Sequence, residues 1–350
     1  MIPWSKLLGK SNSYLDDHDQ IMLIGLISAA LFTAICLYYV VIDSQNYALV
    51  AMATGTLVHS IMLTGTYHGH NSKQRLLFGV VVAVMSGTAF GLGSYAGNSL
   101  YITSIGLLFI LFLVGMVDSR HLLLASSLLF SGISYVLGFG MSAPMTMAIN
   151  YGVYFTVGAL LLVVLGVMRV TLRSYLFDIH ETLPFIDTRK ILWINYHNFV
   201  YTFGLLSSVL LCNYFAFHFN LKHGYWLPLT AFFLMKNNHA ASVNRSIHRL
   251  AGTFLGGSIS LIWSICISSK LIMALAMFPL LYFTLIAVSK HYGSFVLFFT
   301  ITICNLINIA SDTGIKMVEE RMVYTFIGVL IVILILQILR PIANLLIDER

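Results

Sequence analysis

Long apolar runs separated by short polar stretches make up most of this chain. Most are close to the roughly 20 residues that an α-helix needs to cross bilayer hydrocarbon. The pattern predicts spans over 21–42, 47–67, 76–95, 100–117, 122–141 and 146–170. After a polar stretch it predicts 198–217, 225–235, 250–268, 271–289, 294–310 and 322–339. The eighth run is short and meets Lys236, Asn237 and Asn238, so it reads either as a crossing or as a re-entrant segment. The expectation is an all-α polytopic membrane protein with about twelve transmembrane helices.

Composition turns this pattern into a statement about solvent. Of 350 residues, 59% are apolar and 9% are charged. Soluble domains carry about 25% charged residues, so hydrocarbon is the medium that accepts this surface. The net charge of +6 is scattered singly between apolar runs. It forms no basic stripe interleaved with aromatics, and nucleic acid is not an expected partner. With the N-terminus inside, only Lys222, Lys270, Lys316 and Arg321 of the nineteen bases fall outside. That asymmetry predicts an even number of crossings with both ends cytoplasmic. Cys36, Cys212, Cys266 and Cys304 lie in apolar runs without a C-x-x-C pair, and read as small buried residues.

The organisation predicted is a cytoplasmic segment 1–20, a six-helix half 21–170, a cytoplasmic linker 171–197, a second half 198–340 and a tail 341–350. Trp4, Leu7 and Leu8 with Lys6 and Lys10 suit the inner membrane surface. The linker carries Asp178, His180, Glu181, Asp187, Arg189 and Lys190, with a short amphipathic helix expected around 189–196. The halves share a weak pattern. Tyr47 and Tyr225 open the second and eighth spans, and His59 and Asn237 stand at the same distance beyond them. Basic segments ending in Arg75 and Arg249 follow, then Gly-rich helices. Six helices per half imply a parallel repeat about an axis along the membrane normal. A second match sits inside the C-terminal half. Arg249-x-x-x-Thr253-Phe254-x-Gly256 recurs as Arg321-x-x-x-Thr325-Phe326-x-Gly328, which reads as an inverted repeat.

Chemistry concentrates between Gly224 and Ser260. Tyr225-Trp226-x-x-Leu229-Thr230-Ala231, followed by Arg245-x-x-x-Arg249-x-x-Gly252-Thr253-x-x-Gly256, resembles the signature of the fusaric acid resistance, or aromatic acid exporter, superfamily. The core of the likeness covers roughly 40 residues, and the segment from Arg321 to Gly328 extends it. The resemblance implies an inner-membrane exporter of small organic anions, aromatic carboxylates among them, with a periplasmic adaptor, an outer-membrane tunnel and a homo-oligomeric assembly. Lys236-Asn237-Asn238 stands where family members often have a Gln-Pro-like step, and the large cytoplasmic domain of many members has only a linker in its place.

Independently of that likeness, Arg249, Thr253 and Gly256 share one helix face. With the helix N-terminus they form a polar stripe suited to a carboxylate. Arg249, and Arg245 beside it, each read as an anion contact or simply as an inside anchor. Tyr225 and Trp226 are candidate substrate contacts, and Lys236 with His239 a cytoplasmic entrance. Arg321 reads either as an outer anion gate or, the favoured alternative, as a partner of Glu319 and Glu320. His59, near mid-span, reads either as the proton-coupling residue or, the favoured alternative, as a neutral histidine bonded to a neighbouring hydroxyl. Asn305 and Asn308, one turn apart, are polar groups deep in the eleventh span. Gly252 with Gly256 and Gly87 with Gly91 have helix-packing spacing.

No H-E-x-x-H, P-loop or G-x-S-x-G occurs. His68 and His70 form a loop pair without a third metal ligand nearby. The expectation is therefore a transporter without enzymatic activity, cofactor or metal, driven by an ion gradient. A passive anion channel and a non-transporting scaffold of envelope machinery stay open.

Overall fold

The computed structural model describes residues 12–66, 72–117, 122–177, 196–236, 238–311 and 314–345. Among them there is no β-strand. The N-terminal helices are α1 (Asn12–Val41), α2 (Tyr47–Thr66), α3 (Ser72–Ala96), α4 (Leu100–Met116), α5 (Leu122–Gly138) and α6 (Met145–Phe177). A 3-10 turn, Phe139–Met141, links α5 to α6. The C-terminal helices are α7 (Tyr196–His218), α8 (Trp226–Leu234), α9 (His239–Cys266), α10 (Lys270–Lys290), α11 (Tyr292–Ala310) and α12 (Gly314–Leu345). Helix is the only regular structure that satisfies a lipid-facing backbone within a single segment.

Nine of the described helices are long and apolar enough to cross a membrane, and the apolar parts of α2 and α4 are shorter. The eighth run is corrected. As a helix it spans nine residues, Trp226–Leu234, a rise of about 13 Å and less than half of the roughly 30 Å of hydrocarbon. Several ends move as well. The first helix starts at Asn12 rather than 21, α6 runs on to Phe177, and α9 starts at His239 rather than 250. The segment 1–11, the loop pair His68 and His70, and the amphipathic helix expected near 189 lie outside the described residues.

The helices pack in a closed circuit: α1 on α2, then α6, α3, α5, α4, α7, α8, α12, α9, α11 and α10, which returns to α1. Adding six to each helix number maps one half of this circuit onto the other. Glycines set the closest approaches. A Cβ at Gly91 would meet the Ala148 carbonyl oxygen at 3.0 Å. At Gly87 it would collide with Thr156 Oγ1 and come within 2.9 Å of the Gly152 oxygen. At Gly252 it would stand 2.7 Å from the Gly293 oxygen, and at Gly256 2.6 Å from the Leu297 oxygen. These obstacles are backbone, which cannot rotate away.

Two asparagines inside spans are structural. Asn305 Nδ2 donates to the Met273 carbonyl at 3.0 Å, joining α11 to α10. Asn308 Nδ2 donates to Ser264 Oγ at 3.4 Å, joining α11 to α9. Cys36, Cys212 and Cys304 are buried, whereas Cys266, at the end of α9, is exposed, contrary to the sequence reading.

Gly256→Ala should therefore force α9 from α11 and lower stability by about 1–3 kcal/mol, the usual cost of overpacking. Gly166→Ala, where nothing lies within 4 Å of the new Cβ, should be neutral or raise the melting temperature, because alanine suits a helix interior better. Thermal unfolding of both variants in detergent measures the difference.

Candidate functional site

Among the largest fully buried side chains are two arginines, Arg249 on α9 and Arg321 on α12, each 1% exposed. Their guanidinium groups lie within electrostatic reach of each other. Nε and Nη1 of both have no hydrogen-bond partner. Arg321 Nη2 donates to Thr300 Oγ1 at 3.3 Å. No carboxylate pairs with either arginine among the described residues. The favoured pairing of Arg321 with Glu319 and Glu320 is overturned, because Arg321 turns inward and Glu320 binds His223 instead, Nδ1 to Oε2 at 2.7 Å.

Aromatic faces surround the cations. The Arg321 guanidinium sits 4.0 Å from the centre of the Trp226 ring and 5.6 Å from that of Phe299. Arg249 sits 5.2 Å from the centre of the Phe233 ring. A ring face attracts a cation without supplying a counter-charge. Thr230 and Thr253 present buried hydroxyls with no partner, as does the Trp226 indole nitrogen. The box thus holds two positive charges and several unused donors, the equipment for binding an anion.

The helices place these groups in a definite order. Gly328 of α12 rests on Leu227 and Thr230 of α8, and Arg321 covers Trp226, so α8 and α12 run the same way. Gly252 and Gly256 of α9 rest on successive turns of α11. Phe233, at the end of α8, meets Arg249, ten residues into α9, so α9 runs opposite to α8 and α12. The two Arg-x-x-x-Thr-Phe-x-Gly segments therefore approach from opposite directions. Their burial matches: both arginines and both threonines are buried, while Phe254 and Phe326 are 43% and 46% exposed.

Residues 210–335 match the family model described as fusaric acid resistance protein-like. Over those residues the chain is similar to fusaric acid resistance proteins. No curated protein and no solved structure matches the chain. The matched region contains both arginines, the half-length α8 and every aromatic group of the box. The same region lies among the nine described helices that are long and apolar enough to cross a membrane.

Within this fusaric acid resistance-like region, other predicted site residues take different positions. Arg249 is not at a helix entrance. The α9 N-terminus lies ten residues earlier and is capped by Asn238, whose Oδ1 accepts from the Ala240 N–H at 2.9 Å. Arg245 Nη1 lies 3.5 Å from the Phe233 carbonyl oxygen and its guanidinium 4.7 Å from the centre of the Tyr292 ring. It thereby places positive charge at the C-terminal end of α8, where a helix favours it. Lys236 occupies the break between α8 and α9, and its N–H donates to Ser242 Oγ at 3.0 Å. Tyr225 stacks on Trp226, with ring centres 4.7 Å apart.

The structure does not bring His59 to this box. It is fully buried on α2, facing the Gly79 backbone of α3, and neither ring nitrogen has a hydrogen-bond partner. Phe233, Phe299, Thr300 and His223 escaped the sequence reading, which assigned Glu320 to Arg321 instead of His223. An aromatic residue or a threonine in an apolar run carries no signal of what it faces.

Burial pushes the Lys236 ammonium down to about 8, and the Arg245 charge adds to the effect. Its folded value lies below that of free lysine, so its charge is full well below pH 8 and fades above it. Binding of benzoate from the Lys236 side should weaken as pH rises through about 8. Lys236→Gln should remove that alkaline limb. Equilibrium binding between pH 6.5 and 9.5 reads it.

Proposed function

We propose that the protein exports small organic anions, aromatic carboxylates among them, across the bacterial inner membrane, with the Arg249–Arg321 box as the anion site. The observation that carries this reading is the pair of fully buried guanidinium groups without a carboxylate partner among the described residues. A charge inside a membrane protein is costly and marks a substrate pathway. From one end to the other, Lys236, Arg245, Arg249 and Arg321 form a ladder of positive charge along the half-helix α8. Phe233 and Trp226 supply apolar faces between them. Such a ladder lowers the barrier to an anion while leaving a cation no favourable resting place.

The proposed topology places both chain ends in the cytoplasm and the start of α8 outside, in line with the distribution of lysine and arginine. A parallel two-fold repeat is supported by the packing circuit, in which each helix pair recurs six numbers later. Gly158 rests on Met52 and Thr56 as Gly328 rests on Leu227 and Thr230. Gly91 rests on Ala148 and Gly152 where Gly257 rests on Met322 and Val318. Carrying these registers back sets Tyr151 opposite Arg321 and Ala83 opposite Arg249. The N-terminal half would then be a scaffold that lacks the two cations, and transport would belong to the C-terminal half. Drive by the proton gradient, with His59 as one candidate proton carrier, completes the reading. A periplasmic adaptor, an outer-membrane tunnel and a homo-oligomeric state belong to the same proposal.

Benzoate flux in proteoliposomes tests the assignment. Uphill movement under an imposed pH gradient supports a coupled carrier. A large conductance that ignores the gradient identifies a channel. Arg249→Ala and Arg321→Ala should each reduce benzoate transport at least tenfold, since a charged hydrogen bond contributes about 1.5–3 kcal/mol. Arg→Lys at either position should restore only part of it, because lysine cannot offer two parallel donors. Full flux in both alanine variants would end the assignment.

A further inference from the structure

Two cavities open beside the start of α8, and the arginine box uses neither directly. One, of about 320 Å³, is lined by Phe139, Asn213, Asn220, His223 and Tyr225. The other, of about 210 Å³, lies between the halves and is lined by Tyr47, Phe90, His223, Tyr225, Trp226 and Ile303. His223, Tyr225 and Gly140 line both. Trp226 faces the second cavity on one side and the Arg321 guanidinium on the other. His223, which lines both cavities, holds Glu320, the residue before Arg321 in α12.

The pair is built into a fixed loop. His223 has φ 55, in the left-handed region that a β-carbon disfavours. The turn is tied down by Leu221 N–H to the Ala216 carbonyl at 2.9 Å and Gly224 N–H to the Leu221 carbonyl at 3.0 Å. His223 and Glu320 are 19% and 16% exposed, so protons and water reach them while much of each remains shielded. Glu320 immediately precedes Arg321 in α12, yet the two point apart, one to the rim and one into the box.

Resting on the transport reading above, we infer that His223 and Glu320 form a proton-binding pair that sets the sign of charge at the outer rim of the anion path. With His223 neutral, the pair carries one negative charge and repels a departing anion. One proton taken from outside turns the imidazole into an imidazolium; the pair becomes neutral and the repulsion ends. Outer acidity thus favours anion exit, the sense that exchange of an outgoing anion for an incoming proton requires. The other titratable groups around the pair do not mimic this step. Lys222 and Glu319 are exposed on the loop and on α12. Tyr225 stands edge-on to His223 with ring centres 6.5 Å apart, and Tyr324 lies near Glu320. Both, like Tyr47 across the second cavity, are phenols. Arg321 keeps its charge throughout.

Cys304 provides a reporter, because it lies within electrostatic reach of Arg321 and Tyr225. In a Cys36→Ala, Cys212→Ala, Cys266→Ala background, spheroplasts would be treated from outside with an anionic sulfonatoethyl or an uncharged methyl methanethiosulfonate. The ratio of anionic to uncharged labelling of Cys304 cancels the reactivity of the thiol itself. From pH 8 to 5.5 that ratio should rise about fourfold, the effect of one unit charge about 10 Å away at an effective dielectric constant of about 40. Glu320→Gln should start at pH 8 from the acid-side value of the wild type and rise above it on acidification, because the imidazolium then has no carboxylate to neutralise it. His223→Gln should keep it low across the whole range from pH 8 to 5.5. The uncharged labelling rate serves as a check that each variant is folded. The same ratio in wild type and Glu320→Gln at pH 8, or labelling by the uncharged reagent alone at every pH, overturns the rim inference. Labelling by neither reagent overturns the rim inference as well, and benzoate flux in proteoliposomes then decides the transport reading on its own.

Discussion

A guanidinium group withdrawn from water must recover its solvation from something else, and in this protein two of them share one buried box. A ring face recovers part of the cost for each. Thr300 recovers a further part for Arg321. What remains is positive charge in a low-dielectric interior, where any approaching anion is strongly attracted. Burying like charges together opposes folding, and the surrounding structure has to offset it through packing. The arrangement makes physical sense when negative charge arrives from outside the chain.

The half-length of α8 follows from the same constraint. A full helix would carry its aromatic residues across the bilayer without a break and would leave no room for Lys236 and Arg245 at its end. Irregular backbone at membrane depth is tolerated where protein covers it or a cavity adjoins it. Here Ser242, Asn238 and Arg245 take up the polar groups of the break. Arg245 therefore acts on α8 as a structural cation as well as a member of the charge ladder, and both roles follow from one position. The glycines of α9 complete the frame. Gly252 and Gly256 let α9 lie against the backbone of α11, so Thr300 comes within reach of Arg321.

Much of this was legible in the chain itself. Apolar runs marked the helices because membrane solvation acts on whole segments and survives averaging over about 20 residues. The shared face of Arg249, Thr253 and Gly256 was legible because helical periodicity is local. The recurrence of Arg-x-x-x-Thr-Phe-x-Gly was visible as letters, although its meaning was not. The extra turns at the start of α9 were missed because His239 to His248 is polar, and hydropathy counts polar residues as outside the span. Arg321 was misassigned for a related reason: its sequence neighbours Glu319 and Glu320 are the nearest charges along the chain but not in space.

The sequence by itself determined the solvent, the helical class and the residues able to meet an anion, since these depend on composition and on spacing within a single helix. Tertiary structure alone decided that Arg249 and Arg321 converge from antiparallel helices, that Trp226, Phe233 and Phe299 face them, and that His223 takes Glu320. Those outcomes depend on the rotation and depth of one helix against another. Close packing at glycine contacts sets both, and no window along the chain contains both partners.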